Sequence, residues 1–184
     1  VLQQAKDTSI PLLERLKFLC ISSTNLDEFF EIRVSGLKHR LAVSAGPSGP
    51  DNMSSAEVLR TVTEQTVKLV TEQYRVLNDD LIPAMRDAGI RFVRRDDWTN
   101  DHRAWLEQYF FTEIVPVLSP TTLDPTRPFP RILNKSLNFI VSLDGRDAFG
   151  RPCHRAIVQA PRELPRLIRL PTTLEGTGAA DFVF

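Results

Sequence analysis

The chain has 184 residues, 42% of them hydrophobic and 25% charged, which excludes a disordered polypeptide and allows one good core or two small ones. Its 23 basic residues are offset by 23 acidic ones, so overall charge gives no reason to expect nucleic acid or an anionic membrane, and any polyanion site must be local. No run approaches the length of an integral membrane segment and no signal peptide is visible, which makes the cytoplasm the default location.

Residues 1 to 10 lead toward a first helix, in which Leu12, Leu16 and Leu19 repeat at helical spacing, Leu13 and Cys20 widen the stripe, and Pro11 suits the first turn. Leu26, Phe29, Phe30, Val34, Leu37 and Leu41 form a second stripe. Between the two, Ser22-Ser23-Thr24-Asn25 reads as a stop and restart. Residues 11 to 42 are therefore expected to form an antiparallel helical pair, or one helix bent sharply around Thr24.

Asn25 followed three residues later by Glu28 resembles a capping box, with Asp27 and Glu28 at the positive end of the helix dipole. Asn25 then has two readings that stand side by side. It is a cap, or it is an exposed carboxamide offering the donor and acceptor that an adenine edge needs. Phe29 and Phe30 read as core, and Arg33 as covering an apolar face or pairing with a carboxylate in preference to binding phosphate.

Residues 44 to 55, rich in Gly, Pro and Ser, read as a loop. Ser54 or Ser55 opens a long helix, with Ser54 and Glu57 as a capping box and Leu59, Val62, Leu69, Val70, Tyr74, Leu77 and Leu81 as its stripe. Pro83 kinks or restarts it, and Gly89 suits a left-handed terminus. At Ile90 the period changes to two for a short strand. Thr99 or Asn100 then caps a helix carrying Trp105, Leu106, Tyr109, Phe110 and Ile114.

Pro116, Pro120, Pro125, Pro128 and Pro130 make a stiff, non-helical connector. Leu137, Phe139, Val141 and Leu143 face one way along a strand, Asp144-Gly145 turns toward a second strand at Arg155 to Gln159, and Leu164 to Leu170 fits either a short helix or a strand. The fold class is α+β: an all-α helical bundle over residues 1–89, then an incomplete α+β domain over 90–184. Val1 is not an initiator methionine, and the chain stops inside the apolar run Phe182-Val183-Phe184. Both features read as a piece of a longer polypeptide, with an unpaired strand left at its end.

Catalytic signatures are sparse. No Lys stands in a GxxxxGK[ST] frame, and Gly176-Thr177-Gly178 lacks the third glycine of a dinucleotide fingerprint. His39, His102 and His154 are scattered without nucleophile or carboxylate companions and read as solvated. Cys20 and Cys153 have no CxxC partner and read as small hydrophobes, and no metal cluster is visible. Asn134-Lys135-Ser136 is a formal glycosylation triplet without a secretory context.

Between Gly145 and Pro171 the arginines Arg146, Arg151, Arg155, Arg162, Arg166 and Arg169 face only Asp147 and Glu163. This Arg-rich stretch, 146–169, suits either a phosphate-bearing polyanion, or a solvated or partner-facing surface. Arg127, Arg131 and Lys135 have the same two readings.

The run PLLERLKFLCISSTNLDEFFEIRVSGLKHR, from Pro11 to Arg40, resembles the amino-terminal helical domain of bacterial polyphosphate kinases. LSPTTLDPTRPFPRILNKSLNFIVSL, from Leu118 to Leu143, resembles the start of that family's head domain. The two blocks match in order and spacing. The resemblance implies transfer of the terminal phosphate of ATP to a growing polyphosphate chain through a phosphohistidine, assisted by Mg²⁺.

It also implies that the histidines and metal ligands lie in carboxy-terminal, phospholipase D-like domains. No catalytic residue is then expected in this chain, which as an isolated fragment would be inactive. The Asn immediately before Leu-Asp-Glu-Phe, here Asn25, is implied as a nucleotide contact, part of the adenine-binding wall. Thr24 stands where many relatives carry a second Asn, so no contact is carried over to that position. Implied partners are ATP, ADP and polyphosphate, with a homo-oligomer formed through the head domain. The rival reading is a non-enzymatic helical protein-interaction module in which Asn25 is only a cap.

Overall fold

The computed structural model describes residues 1–43, 53–124, 126–146, 150, 153–174 and 179–184. The chain divides into two units, Val1–Arg91 and Phe92–Phe184. No helix among the described residues is long and apolar enough to cross a membrane.

The first unit is helical. A short helix α1 (Leu2–Lys6) precedes α2 (Leu12–Phe29), for which Pro11 is the extended residue just outside the first turn. The expected break at Thr24 is absent. α2 continues through a π-helical turn (Phe30–Val34) into α3 (Ser35–Ala42), and the junction residues Phe29, Phe30, Val34 and Ser35 all keep right-handed helical dihedrals.

The Ser-Ser-Thr-Asn run costs about 2 kcal/mol in helix propensity relative to alanines, and tertiary packing overrides it. Leu19, Ser22, Val34 and Leu37 are buried along one seam. Ser22 is held there by the buried Gln73, whose Nε2 donates to Ser22 Oγ at 2.9 Å. A stop at Thr24 would disrupt that seam between its two halves.

Opposite this seam runs α4 (Ser55–Arg75), capped by Ser54 and Glu57 in the expected reciprocal box. It passes into a second π-helical segment (Val76–Leu81) and then α5 (Ile82–Asp87), with Pro83 in its first turn. Gly89 at φ 81° closes the run in the left-handed region that favours glycine.

Val76, Leu81 and Met85 are the deepest residues of the core, beside Ala5 of α1. The buried Arg15 donates from Nε to Ala5 O at 3.0 Å, satisfying a carbonyl that α1 leaves open. Lys6 reaches Glu72 at 2.6 Å, and Arg75 grips the same carboxylate.

β1 (Ile90–Phe92) spans the boundary at Arg91; in the second unit Thr99 caps α6 (Asn100–Tyr109), and a third π-helical turn (Phe110–Ile114) leads to a 3₁₀ turn at Val115–Val117. The connector expected to be wholly irregular contains that turn around Pro116 and a strand, β2 (Pro120–Thr122). Pro120 is tolerated because β2 is an edge strand.

β3 (Asn138–Ser142) and β4 (Arg155–Gln159) pair antiparallel with Ile140 opposite Ile157, and the sheet order is β2–β4–β3. The ambiguous Leu164 to Leu170 segment resolves as β5 (Ile168–Arg169). The apolar end of the chain, β6 (Ala180–Val183), lies centrally in a β1–β6–β5 sheet. The edge expected to be unpaired is paired on both sides. The Phe92 ring stacks on Phe184 with centroids 5.5 Å apart.

Replacing Ser22 by alanine would strand the buried Gln73 amide and is expected to cost about 1–3 kcal/mol in urea unfolding. A Ser22→Ala/Gln73→Leu double variant should recover most of that loss.

Acid stability supplies a separate check. The Arg75 guanidinium first, and Lys6 second, hold the Glu72 carboxyl at about 2, down from 4.5. A carboxyl depressed in the folded state stabilises it above the unfolded value and loses that contribution as pH falls from about 4.5 through about 2. Thermal melts of Glu72→Gln should therefore show a shallower decline across that window than the parent.

Candidate functional site

Asn25 lies well inside α2, so it caps nothing, and its side chain is exposed. The capping-box reading of Asn25 with Glu28 is overturned because no helix starts there. The carboxamide is free of the role that competed with ligand contact. Ile21, Asn25 and Phe29 recur every four residues along one side of α2, and Arg33 follows inside the π-helical turn.

That side is unusually apolar for an exposed surface. Phe29 and Phe30, read as core from sequence, are 39% and 37% exposed, their rings meeting edge to face with centroids 6.0 Å apart. Ile32 is 67% exposed. The π-helical turn begins at Phe30 and inserts extra backbone into each turn. This rephasing buries Val34 and Leu37 while leaving Phe29 and Phe30 outside the seam.

Beyond Phe29 the same surface opens into a cleft of about 430 Å³ between the π turn with α3 and the start of α4. Its walls include Phe29, Val34, Leu37, Val58 and Val62, and its charged lining residues are Arg33 and Arg40. Gly36 also lines it, and a Cβ built there would meet no atom within 4 Å. The cleft is absent from the sequence reading. The available signal is Gly36 itself, an isolated glycine inside a helical pattern.

The other candidate residues are dispersed or structurally employed. His102, expected to be solvated, is buried: its Nδ1 accepts from Thr99 N, and its Nε2 lies 3.1 Å from Leu174 O. His39 is exposed on α3, and His154 is exposed just before β4.

Within the Arg-rich stretch, Arg146 donates to Gly150 O at 2.6 Å and Arg162 to Asn134 O at 2.8 Å, so both brace loops. Arg151, Asp147 and the Gly176-Thr177-Gly178 run lie outside the described residues. Cys20 is exposed and Cys153 buried.

Comparison with known proteins is consistent along the chain. Residues 1–93 match the family model of the polyphosphate kinase N-terminal domain, and residues 101–184 that of the polyphosphate kinase middle domain. The polyphosphate kinase of Burkholderia cenocepacia (strain HI2424) is 50% identical over 176 residues, and that of Paraburkholderia phytofirmans 51%. Each alignment covers 96% of this chain and 26% of the relative, so the chain spans about a quarter of the length of the curated relatives it matches. The crystal structure of polyphosphate kinase from Porphyromonas gingivalis superposes with a TM-score of 0.75 at 26% identity, covering 100% of this chain and 26% of that one.

Because Asn25 is an exposed helix-interior residue, Asn25→Ala should leave the melting temperature unchanged or raise stability by about 0.5 kcal/mol, the difference in helix propensity. A marked loss in thermal unfolding would mean that the side chain holds structure.

Proposed function

The chain belongs to the polyphosphate kinase family, and from that premise we propose that it forms part of the adenine-binding wall of an enzyme that transfers the terminal phosphate of ATP to polyphosphate. The observation that carries this reading is the exposed Asn25 carboxamide on a helix surface shared with Ile21 and Phe29. A carboxamide offers one donor and one acceptor edge, the complement of an adenine edge, while a neighbouring aromatic ring supplies a face for the base. The fold asks nothing of Asn25, so its chemistry is available to a ligand.

The catalytic centre of the proposed enzyme lies in polypeptide that this chain does not contain. Phosphoryl transfer draws most of its acceleration from positioned donors, metal ions and an aligned nucleophile. The resemblance implies a phosphohistidine and Mg²⁺ ligands outside this chain. Among the described residues no group of His, Cys, Asp or Glu is arranged to hold a metal ion, and no step is assigned to one here. The isolated chain is inactive on this reading. Residues 1–89 serve as the nucleotide-facing helical domain, and residues 90–184 as head-domain material through which the enzyme self-associates.

In a whole enzyme carrying this segment, Asn25→Ala should raise the apparent KM for ATP about tenfold, as expected for loss of a hydrogen-bonded ligand contact, with a smaller change in kcat. Asn25→Asp, which keeps an acceptor but loses the amide donor, should not restore it. The purified 184-residue chain should make no polyphosphate from ATP. Wild-type KM in both variants would instead favour the helical interaction module, and synthesis by the isolated chain would refute the assignment of catalysis elsewhere.

A further inference from the structure

We propose that the cleft beyond Phe29 is the receiving half of an interface between two copies of this chain, filled by residues 107–117 of the second copy. The interface rests on the reading that residues 90–184 mediate self-association, and it gives them a surface to meet. The cleft is apolar along Val34, Leu37, Val58 and Val62, and its charged lining residues are Arg33 and Arg40. Both arginines are exposed, and neither guanidinium has a hydrogen bond or ion pair among the described residues. The expectation that Arg33 pairs with a carboxylate is not met within the chain.

An occupant that complements this cleft brings apolar side chains together with negative charge. The second unit carries such a segment at the end of α6. From Trp105 to Val117, through the π-helical turn and the 3₁₀ turn, the only charged residues are Glu107 and Glu113. Both are exposed, and neither carboxylate has a hydrogen bond or ion pair among the described residues. Around them Phe110 is 42% exposed, Phe111 60% and Val117 48%. The two phenylalanine rings meet edge to face with centroids 5.5 Å apart and so present one apolar knob.

Other exposed apolar residues of the second unit have basic or mixed neighbours. Phe129 lies between Arg127 and Arg131, and Leu167 between Arg166 and Arg169, so both would bring cations against Arg33 and Arg40. The exposed β3 residues Phe139, Ile140 and Val141 are followed by one charge of each sign, Asp144 and Arg146. Charge therefore favours residues 107–117.

Size agrees. The cleft's volume of about 430 Å³ lies in the range of pockets that bury a drug-sized group, about 300–1,000 Å³, and leaves room for the Phe110–Phe111 pair. Gly36 adds to that room, because a Cβ there would meet no atom within 4 Å. Its backbone does not require glycine, since it is not among the residues with left-handed φ. Each copy carries one cleft and one acidic segment, so two contacts related by a two-fold axis close a dimer. Apolar burial supplies the affinity, and the Arg–Glu pairs fix the register.

The test is sedimentation velocity on the 184-residue chain over a concentration series at low salt. The parent should dimerise. Arg33→Glu/Arg40→Glu and, separately, Glu107→Lys/Glu113→Lys should each weaken self-association by about tenfold or more, since each variant sets like charges against one another. An equimolar mixture of the two variants should regain the parent's dimer, because in the mixed pair every cleft meets a segment of opposite charge. Side chains that only held their own fold together would show no recovery on mixing.

Gly36→Leu fills the cleft without changing charge and should weaken the dimer with the melting temperature retained. A monomeric parent, parent-like dimerisation in either charge variant, or no recovery in the mixture would overturn the inference. If parent and charge variants dimerise equally, self-association through residues 90–184 stands and the cleft contact alone falls.

Discussion

The hydrogen bond between Gln73 and Ser22 sits at the centre of the first unit, joining α4 to α2 where the α2 sequence is least inclined to be helical. Without an anchored Ser22, the Ser-Ser-Thr-Asn run would have every local reason to turn. With it, the helix runs from Leu12 to Ala42, with Leu19 and Ser22 buried in its first half and Val34 and Leu37 in its second. The exposed surface around Asn25 follows from that continuity. It turns Asn25 from a cap into an exposed side chain, sets Phe29 one turn beyond it, and places Arg33 and Gly36 along the cleft.

The same local signature has opposite outcomes at two places in the chain. Ser54 with Glu57 forms a true capping box, and Asn25 with Glu28 does not. The difference is visible only beyond the motif. Before Ser54 the sequence carries several Gly and Pro residues, whereas before Asn25 lies a helix already packed on α4. Pattern and punctuation made the helices, Gly89, β3 and β4 legible, because their signals are local.

Illegible were the features that depend on distant partners. β2 needs β4 as its neighbour, β5 is only two residues long, and the π-helical turns have no residue signature of their own. Of the candidate site, Asn25 could be named from the run that carries the family likeness. Its surroundings could not, since Phe29 and Phe30 have core composition and leave the core only because the π turn rephases the helix. His102 fails in the opposite direction: a scattered polar residue in the sequence becomes a buried brace once Leu174 is brought beside it.

β6 occupies the middle of its sheet although it is the last strand in the chain, with β1 and β5 as neighbours. Residues around Phe92 must therefore wait for residues around Phe182 before either gains a backbone partner. During synthesis the helical unit, complete by Arg91, has its partners well before the ribosome reaches β6. Until then β1 and β5 are strands without a template. The order of translation thus separates the birth of the long α2 helix from the closing of the sheet.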